Sequence, residues 1–125
     1  MKKILLIEDD AALSWLLERI LRQDYNVVAM KDGLEAWAWL SDGNFCDLII
    51  SDINLPYIQG TELLENLNNS GLYNHIPVII LSGLEESRKV CLELGAITYL
   101  LKPFNPHQFL QEVRLAMNQK PEYVF

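Results

Sequence analysis

"DLIISDINLP" (residues 47–56) is the stretch on which the fold turns. An apolar run, Leu48-Ile49-Ile50, passes a small Ser51 and stops on Asp52. Strands covered on both faces read as such unbroken runs, because a parallel sheet under two layers of helices has no solvent side. A charge is costly in that setting. A strand that finishes on a carboxylate, with Asn54 and Pro56 close behind, therefore asks for a chemical reason.

Outward from this stretch, two kinds of segment alternate. Short apolar ones are "KILLIE" (3–8), "YNVVAM" (25–30), "DLIISD" (47–52), "PVIILS" (77–82) and "TYLLK" (98–102). All have strand length, and the first four are rich in Val and Ile. Longer segments between them carry helical spacing. Over 11–22 the stripe is Leu13, Leu16, Leu17, Ile20 and Leu21; over 33–41 it is Leu34, Trp37 and Leu40. Over 61–68 it is Leu63, Leu64 and Leu67. Val90, Leu92 and Leu94 give a weaker signal over 85–94, and Phe109, Leu110, Val113 and Met117 a clear one over 106–118. Gly95 stands where a helix end wants a left-handed residue. Asn105-Pro106 reads as a cap with a first-turn proline. Thr61 reads as an N-cap, with Glu62 complementing the dipole of the third helix. Trp37 and Trp39, two apart on one helix, cannot both face the sheet, so one of them is a candidate contact patch.

The order is β-α five times, hence a parallel sheet with helices on both faces and right-handed crossovers. In such sheets the site lies beyond the carboxyl ends of the strands. Those ends are polar in a pattern. Strand one stops at Glu8-Asp9-Asp10, strand three at Asp52, strand four at Ser82-Gly83 and strand five at Lys102-Pro103. Strand two, near Met30-Lys31, lacks such an end and reads as an edge.

Glu8, Asp9 and Asp52 converging on one rim repel one another unless a cation joins them. Oxygen ligands with few carboxylates suit Mg²⁺, which keeps several waters and accepts a phosphate oxygen. Mg²⁺ and Lys102 would together cancel the three negative charges. A carboxylate held there can attack phosphorus and form an acyl phosphate. Metal and lysine would stabilise the transferring oxygens, and Ser82 would bond one of them.

The totals fit this picture. The chain has 125 residues, half of them hydrophobic, which suits one core. The net charge of −7 argues against a surface that binds nucleic acid directly. No apolar run approaches a membrane span, and the acids after Ile7 speak against a secretion signal, so a cytoplasmic location is expected. Cys46 and Cys91 read as small buried hydrophobes, and His75 and His107 as solvated. Asp10 is a minor candidate, for the metal or for the cap of the first helix.

As a set, Glu8-Asp9, "DxxLP" with Gly60 following (Asp52, Pro56, Gly60), Ser82-Gly83 and "YLLKPF" with Lys102-Pro103 resemble the receiver domain of two-component response regulators. The resemblance spans residues 3–118. It implies a flavodoxin-like (βα)₅ doubly wound parallel five-stranded sheet of order 2-1-3-4-5, with residues 1–119 as the receiver domain and 120–125 as a short tail. It implies that Asp52 accepts a phosphoryl group from a histidine kinase or phosphotransfer protein. Asp9 would bind Mg²⁺ (or Mn²⁺) directly, Glu8 through water, and Asn54 through its backbone carbonyl. Lys102 would contact the phosphoryl group, and Lys102-Pro103 would be cis. Ser82 and Tyr99 would form a switch that reshapes the face of the fourth helix, fifth strand and fifth helix, where an effector or a second copy would bind. Such a domain is a signalling module that catalyses its own phosphotransfer and dephosphorylation, not an enzyme in the usual sense.

Three departures from the family pattern stand out. Glu8 replaces the commoner Asp, Ser82-Gly83 the frequent Thr-Ala, and Ile97-Thr98 the acidic pair of winged-helix regulators, which weakens the expectation of their particular dimer. The chain reads as a stand-alone receiver or as a piece of a longer regulator. Three other readings compete. A degenerate receiver acting only as an interaction module would need a missing acid, lysine or nucleophile, and none is missing. An aspartate-nucleophile phosphatase would need a second Asp where Asn54 stands. Flavin binding on the same fold would need a phosphate loop that "EDDAAL" does not provide.

Overall fold

The structure, a computed structural model, describes residues 1–118. The tail expected over 120–125 lies outside the described residues. The elements run β1 (Lys3–Ile7), α1 (Ala11–Leu21), β2 (Asn26–Met30), α2 (Gly33–Ser41), β3 (Leu48–Asp52), α3 (Gly60–Asn68) and β4 (Val78–Ser82). A 3₁₀ turn (Glu85–Ser87) then leads into α4 (Arg88–Glu93), β5 (Thr98–Leu101) and α5 (Pro106–Met117). All strand pairs are parallel and the order is β2-β1-β3-β4-β5, so Leu48–Asp52 is the central strand. β2 is an edge, as its polar-poor end implied.

Alternation along the strands divides the core in two. Leu5, Ile7, Ile49 and Ile80 pack under α2, α3 and α4, against Leu40, Leu63, Leu64, Leu67 and Cys91. Ile4, Leu6, Leu48, Ile50, Ile79 and Leu81 pack under α1 and α5, against Leu17, Leu21, Phe109 and Val113. Each such side chain contributes roughly 1.5–3 kcal/mol of burial. The alternation also positions chemistry. Glu8 continues the row Ile4-Leu6, and Asp52 the row Leu48-Ile50, so both carboxylates emerge on the α1/α5 side. Ile7 pairs with Ser51, which sets Glu8 beside Asp52 at the sheet's rim.

Several helix expectations need correction. Thr61 is not a cap: α3 begins at Gly60, with Gln59 preceding it and no side chain capping. Gly60 N–H donates to the Ile53 carbonyl at 2.9 Å, which starts the helix before Thr61 is reached. The segment 85–94 is not one helix but the 3₁₀ turn and a six-residue α4. Its weak stripe was misplaced, since Val90 and Leu92 are exposed and Cys91 is the buried residue. Leu16 and Leu34 likewise sit at the exposed margins of their stripes. Neither Trp37 nor Trp39 is exposed. Both rings pack partly against the core, Trp37 edge-on to Tyr73 and Trp39 beneath the Lys3 ammonium. The exposed tryptophan is Trp15, at 60%, stacked with Arg19.

The other caps stand as read. Asn105 Oδ1 accepts from His107 and Gln108 N–H, with Pro106 in the first turn. Gly95 has φ +112° after α4. Asp10 caps α1, accepting from Ala12 and Leu13 N–H. Both cysteines are free and buried.

Candidate phosphoacceptor and metal site

The rim gathers the strand-ending residues into one site. Lys102 Nζ donates to Glu8 Oε1 and to Asp52 Oδ2, each at 3.1 Å. One lysine thus bridges the ends of β1 and β3 from its place just past β5. Its backbone N–H donates to the Ser82 carbonyl at 2.7 Å, which keeps it level with the end of β4. Lys102-Pro103 is cis.

Glu8 is 2% exposed, and burial pushes its carboxyl above the usual range. A hydrogen bond from Asp10 N–H to Oε2 opposes that rise, the Asp52 charge adds to it, and Lys102 opposes it. Burial alone would lower the Lys102 ammonium, but its bonds to Glu8 and Asp52 outweigh burial and hold it above its ordinary value. The lysine stays charged because two acids hold it.

Carboxylate oxygens of Glu8, Asp9 and Asp52 lie within 4.8 Å of one another. Asp9 is exposed, whereas Glu8 and Asp52 are buried. Three acids against one lysine leave an excess of two negative charges, which matches a hard divalent cation. The donor set fits that group. Both oxygens of Glu8 already accept hydrogen bonds, one from Lys102 and one from Asp10 N–H, whereas Asp9 faces solvent.

The β3–α3 loop is tightly drawn. A Cβ on Gly60 would lie 2.6 Å from the Asp52 carbonyl oxygen and 2.7 Å from Ile53 Cα, so only glycine fits there. Ser51 Oγ, on the face opposite the carboxylates, donates to the same Asp52 carbonyl at 2.9 Å. Asn54 is exposed, and its N–H reaches back toward Asp52 Oδ1 at 3.4 Å. Pro56 is exposed in the same loop.

Ser82 is fully buried. Its hydroxyl accepts from Leu84 N–H at 3.1 Å and donates toward the Leu84 carbonyl at 3.4 Å. Tyr99 is buried too, and its hydroxyl donates to that same carbonyl. The two candidate switch residues thus share one peptide group. Sequence reading missed this, since a backbone acceptor leaves no mark on residue identity. It also missed Arg88, which donates to the Tyr99 carbonyl at 3.1 Å, stands over the Tyr99 ring at 5.1 Å and is gripped by Glu85. His75 stacks on Phe45, away from the rim residues, and His107 lies in the first turn of α5.

With this geometry in hand, the comparisons decide the family. Residues 4–114 match the family model described as the response regulator receiver domain. The chain belongs to that family. The receiver domain is 37% identical to the transcriptional regulatory protein CpxR of Klebsiella pneumoniae, over 95% of this chain and 50% of that protein. The chain spans about half the length of such curated relatives. Among solved structures, the Vibrio cholerae chemotaxis response regulator CheY4 superposes with a TM-score of 0.85 at 28% identity, covering 93% of this chain and 98% of that one. A receiver domain of a Pseudomonas aeruginosa PAO1 sensor histidine kinase, described with a magnesium ion coordinated in its active-site cleft, superposes at 0.84 with 26% identity over 94% and 98% of the two chains. The receiver domain thus shares the fold of these structures and gathers Glu8, Asp9 and Asp52 at its rim. No helix of its described residues is long and apolar enough to cross a membrane.

Proposed function

We propose that this receiver domain accepts a phosphoryl group on Asp52 from the phosphohistidine of a sensor histidine kinase or phosphotransfer protein, in the cytoplasm. The observation that carries the reading is the Lys102 bridge to Glu8 and Asp52, beside a third carboxylate on Asp9. Asp9 and Asp52, with the Asn54 carbonyl and with Glu8 acting through water, would hold Mg²⁺ or Mn²⁺. A bound divalent cation supplies Lewis-acid charge for the phosphoryl oxygens.

The chain's own residues do the rest. An Asp52 carboxylate oxygen attacks phosphorus; the new P–O bond forms as the P–N bond breaks, and the electron pair leaves on the imidazole nitrogen. The Lys102 ammonium stabilises charge on the equatorial oxygens. Ser82 hydroxyl turns from the Leu84 peptide to a phosphoryl oxygen. That removes one donor from the Leu84 carbonyl and one acceptor from its N–H, and Tyr99 is bonded to the same carbonyl. The change at the phosphate thereby reaches the surface of α4, β5 and α5, which would receive an effector or a second copy. Attack of water on the acyl phosphate returns Asp52 and inorganic phosphate, so the cycle is a signal with a lifetime.

Acetyl phosphate with Mg²⁺ tests this directly. Intact-mass measurement is expected to show one added phosphoryl group, and none on Asp52→Asn. Undiminished labelling of that variant would sink the assignment. Lys102→Ala is expected to retain Mg²⁺ binding and lose most of the transfer rate, by about tenfold or more, measured with the same donor.

A further inference from the structure

We infer that Tyr57 is a contact residue for the phosphohistidine-bearing protein, placed at the rim of the site for the macromolecular donor and not for the chemistry. The inference rests on the phosphoacceptor reading of Asp52.

Tyr57 is the one non-glycine with positive φ among the described residues, at +68°. Ile58 N–H donates to the Pro56 carbonyl at 2.9 Å, closing a three-residue turn with Tyr57 at its apex. That hand of turn is rare and strained, and a bulky side chain there is an outlier. The cause is visible on either side. Leu55 is buried in the core beneath α2 and α3. Ile58 lies against Gly33, where a Cβ would come within 2.9 Å of the Ile58 Cβ. Gly60 is pressed on the Asp52 carbonyl. Between these three held points the chain adopts the left-handed turn.

Glycine or asparagine would adopt that turn more cheaply. The ring does not repay the strain within the domain, because Tyr57 is 78% exposed. Strain kept at a functional rim without an internal contact points to an external one. The occupant follows from position. Tyr57 lies five residues past Asp52, in the loop joining the strand that carries the nucleophile to α3. A protein that brings its phosphohistidine within bonding distance of Asp52 must cover this rim, whereas a small donor need not. Tyrosine suits such a role, giving a large amphipathic contact with few rotors to freeze.

The test compares the wild type with Tyr57→Gly and Tyr57→Phe. Thermal unfolding comes first: Tyr57→Gly is expected to melt higher, since it relieves the turn. With acetyl phosphate and Mg²⁺ the three proteins are expected to label at equal rates. Each histidine kinase of the source genome, autophosphorylated with radiolabelled ATP, is then offered to the wild type, and the fastest donor is used. From that donor, transfer to Tyr57→Gly at limiting receiver concentration is expected to fall about tenfold or more, with Tyr57→Phe within about twofold of wild type. Equal transfer to all three overturns the inference, and so does the absence of transfer from every kinase while acetyl phosphate still labels Asp52. Failure of acetyl phosphate to label the wild type would instead remove the phosphoacceptor reading, and this inference with it.

Discussion

At the scale of single residues, the site depends on side chains that are small or silent as much as on those that react. Gly60 is one. Any Cβ there meets the Asp52 carbonyl and the Ile53 backbone, neither of which can swing aside. Gly60→Ala is expected to destabilise the domain by about 2 kcal/mol, a typical cost of overpacking, and to slow labelling from acetyl phosphate through the displaced Asp52. Denaturant unfolding and the labelling rate check the two effects together. Cys46 is another. Burial is the main cause that pushes its thiol up to about 12, with the Asp47 charge adding to it. The folded chain keeps that proton while the unfolded chain loses it above about 9, so this group's contribution falls as pH rises across that window. At pH 8 the native thiol is expected to resist iodoacetamide and to react once the chain is unfolded, as read by mass.

Among the elements, what was legible followed from periodicity and what was not followed from the backbone. The five strands were plain because four of them are two-sided apolar runs with few competing patterns. Their polar ends were equally plain, since Glu8, Asp52, Ser82 and Lys102 interrupt those runs. Helix ends held where a side chain does the capping, at Asn105 and Asp10. The α3 start failed because a main-chain bond, Gly60 N–H to the Ile53 carbonyl, sets it. The fourth helix failed because a six-residue element sets its register by one buried side chain, Cys91, and by Arg88 on Tyr99. Neither leaves a stripe. The shared Leu84 peptide and the strained Tyr57 were invisible for the same reason: both are properties of where the backbone is held. Asn105→Ala is expected to lower stability by about 1 kcal/mol, the usual worth of such a cap, in a urea titration. Arg88→Ala is expected to speed amide exchange over residues 84–90 more than elsewhere, since it releases the segment from Tyr99.

Across the whole molecule, the acidic rim sets function against stability. Bringing Glu8, Asp9 and Asp52 together around one lysine leaves uncancelled charge at a partly buried rim. A ligand that binds only the folded state stabilises by mass action, about 2.7 kcal/mol at a hundred times its Kd. Millimolar Mg²⁺ is therefore expected to raise the melting temperature, and Asp9→Ala to cancel most of that rise, which calorimetry would read. The way the sheet is threaded carries one more consequence. The acids enter with the first and third strands, but the lysine that bridges them sits just past the fifth, and the Lys102–Glu8 contact joins residues 94 apart. A chain still emerging from the ribosome holds both acids long before it holds the cation that bridges them. On the proposed phosphoacceptor role, full competence to receive a signal would thus arrive only with the final crossover.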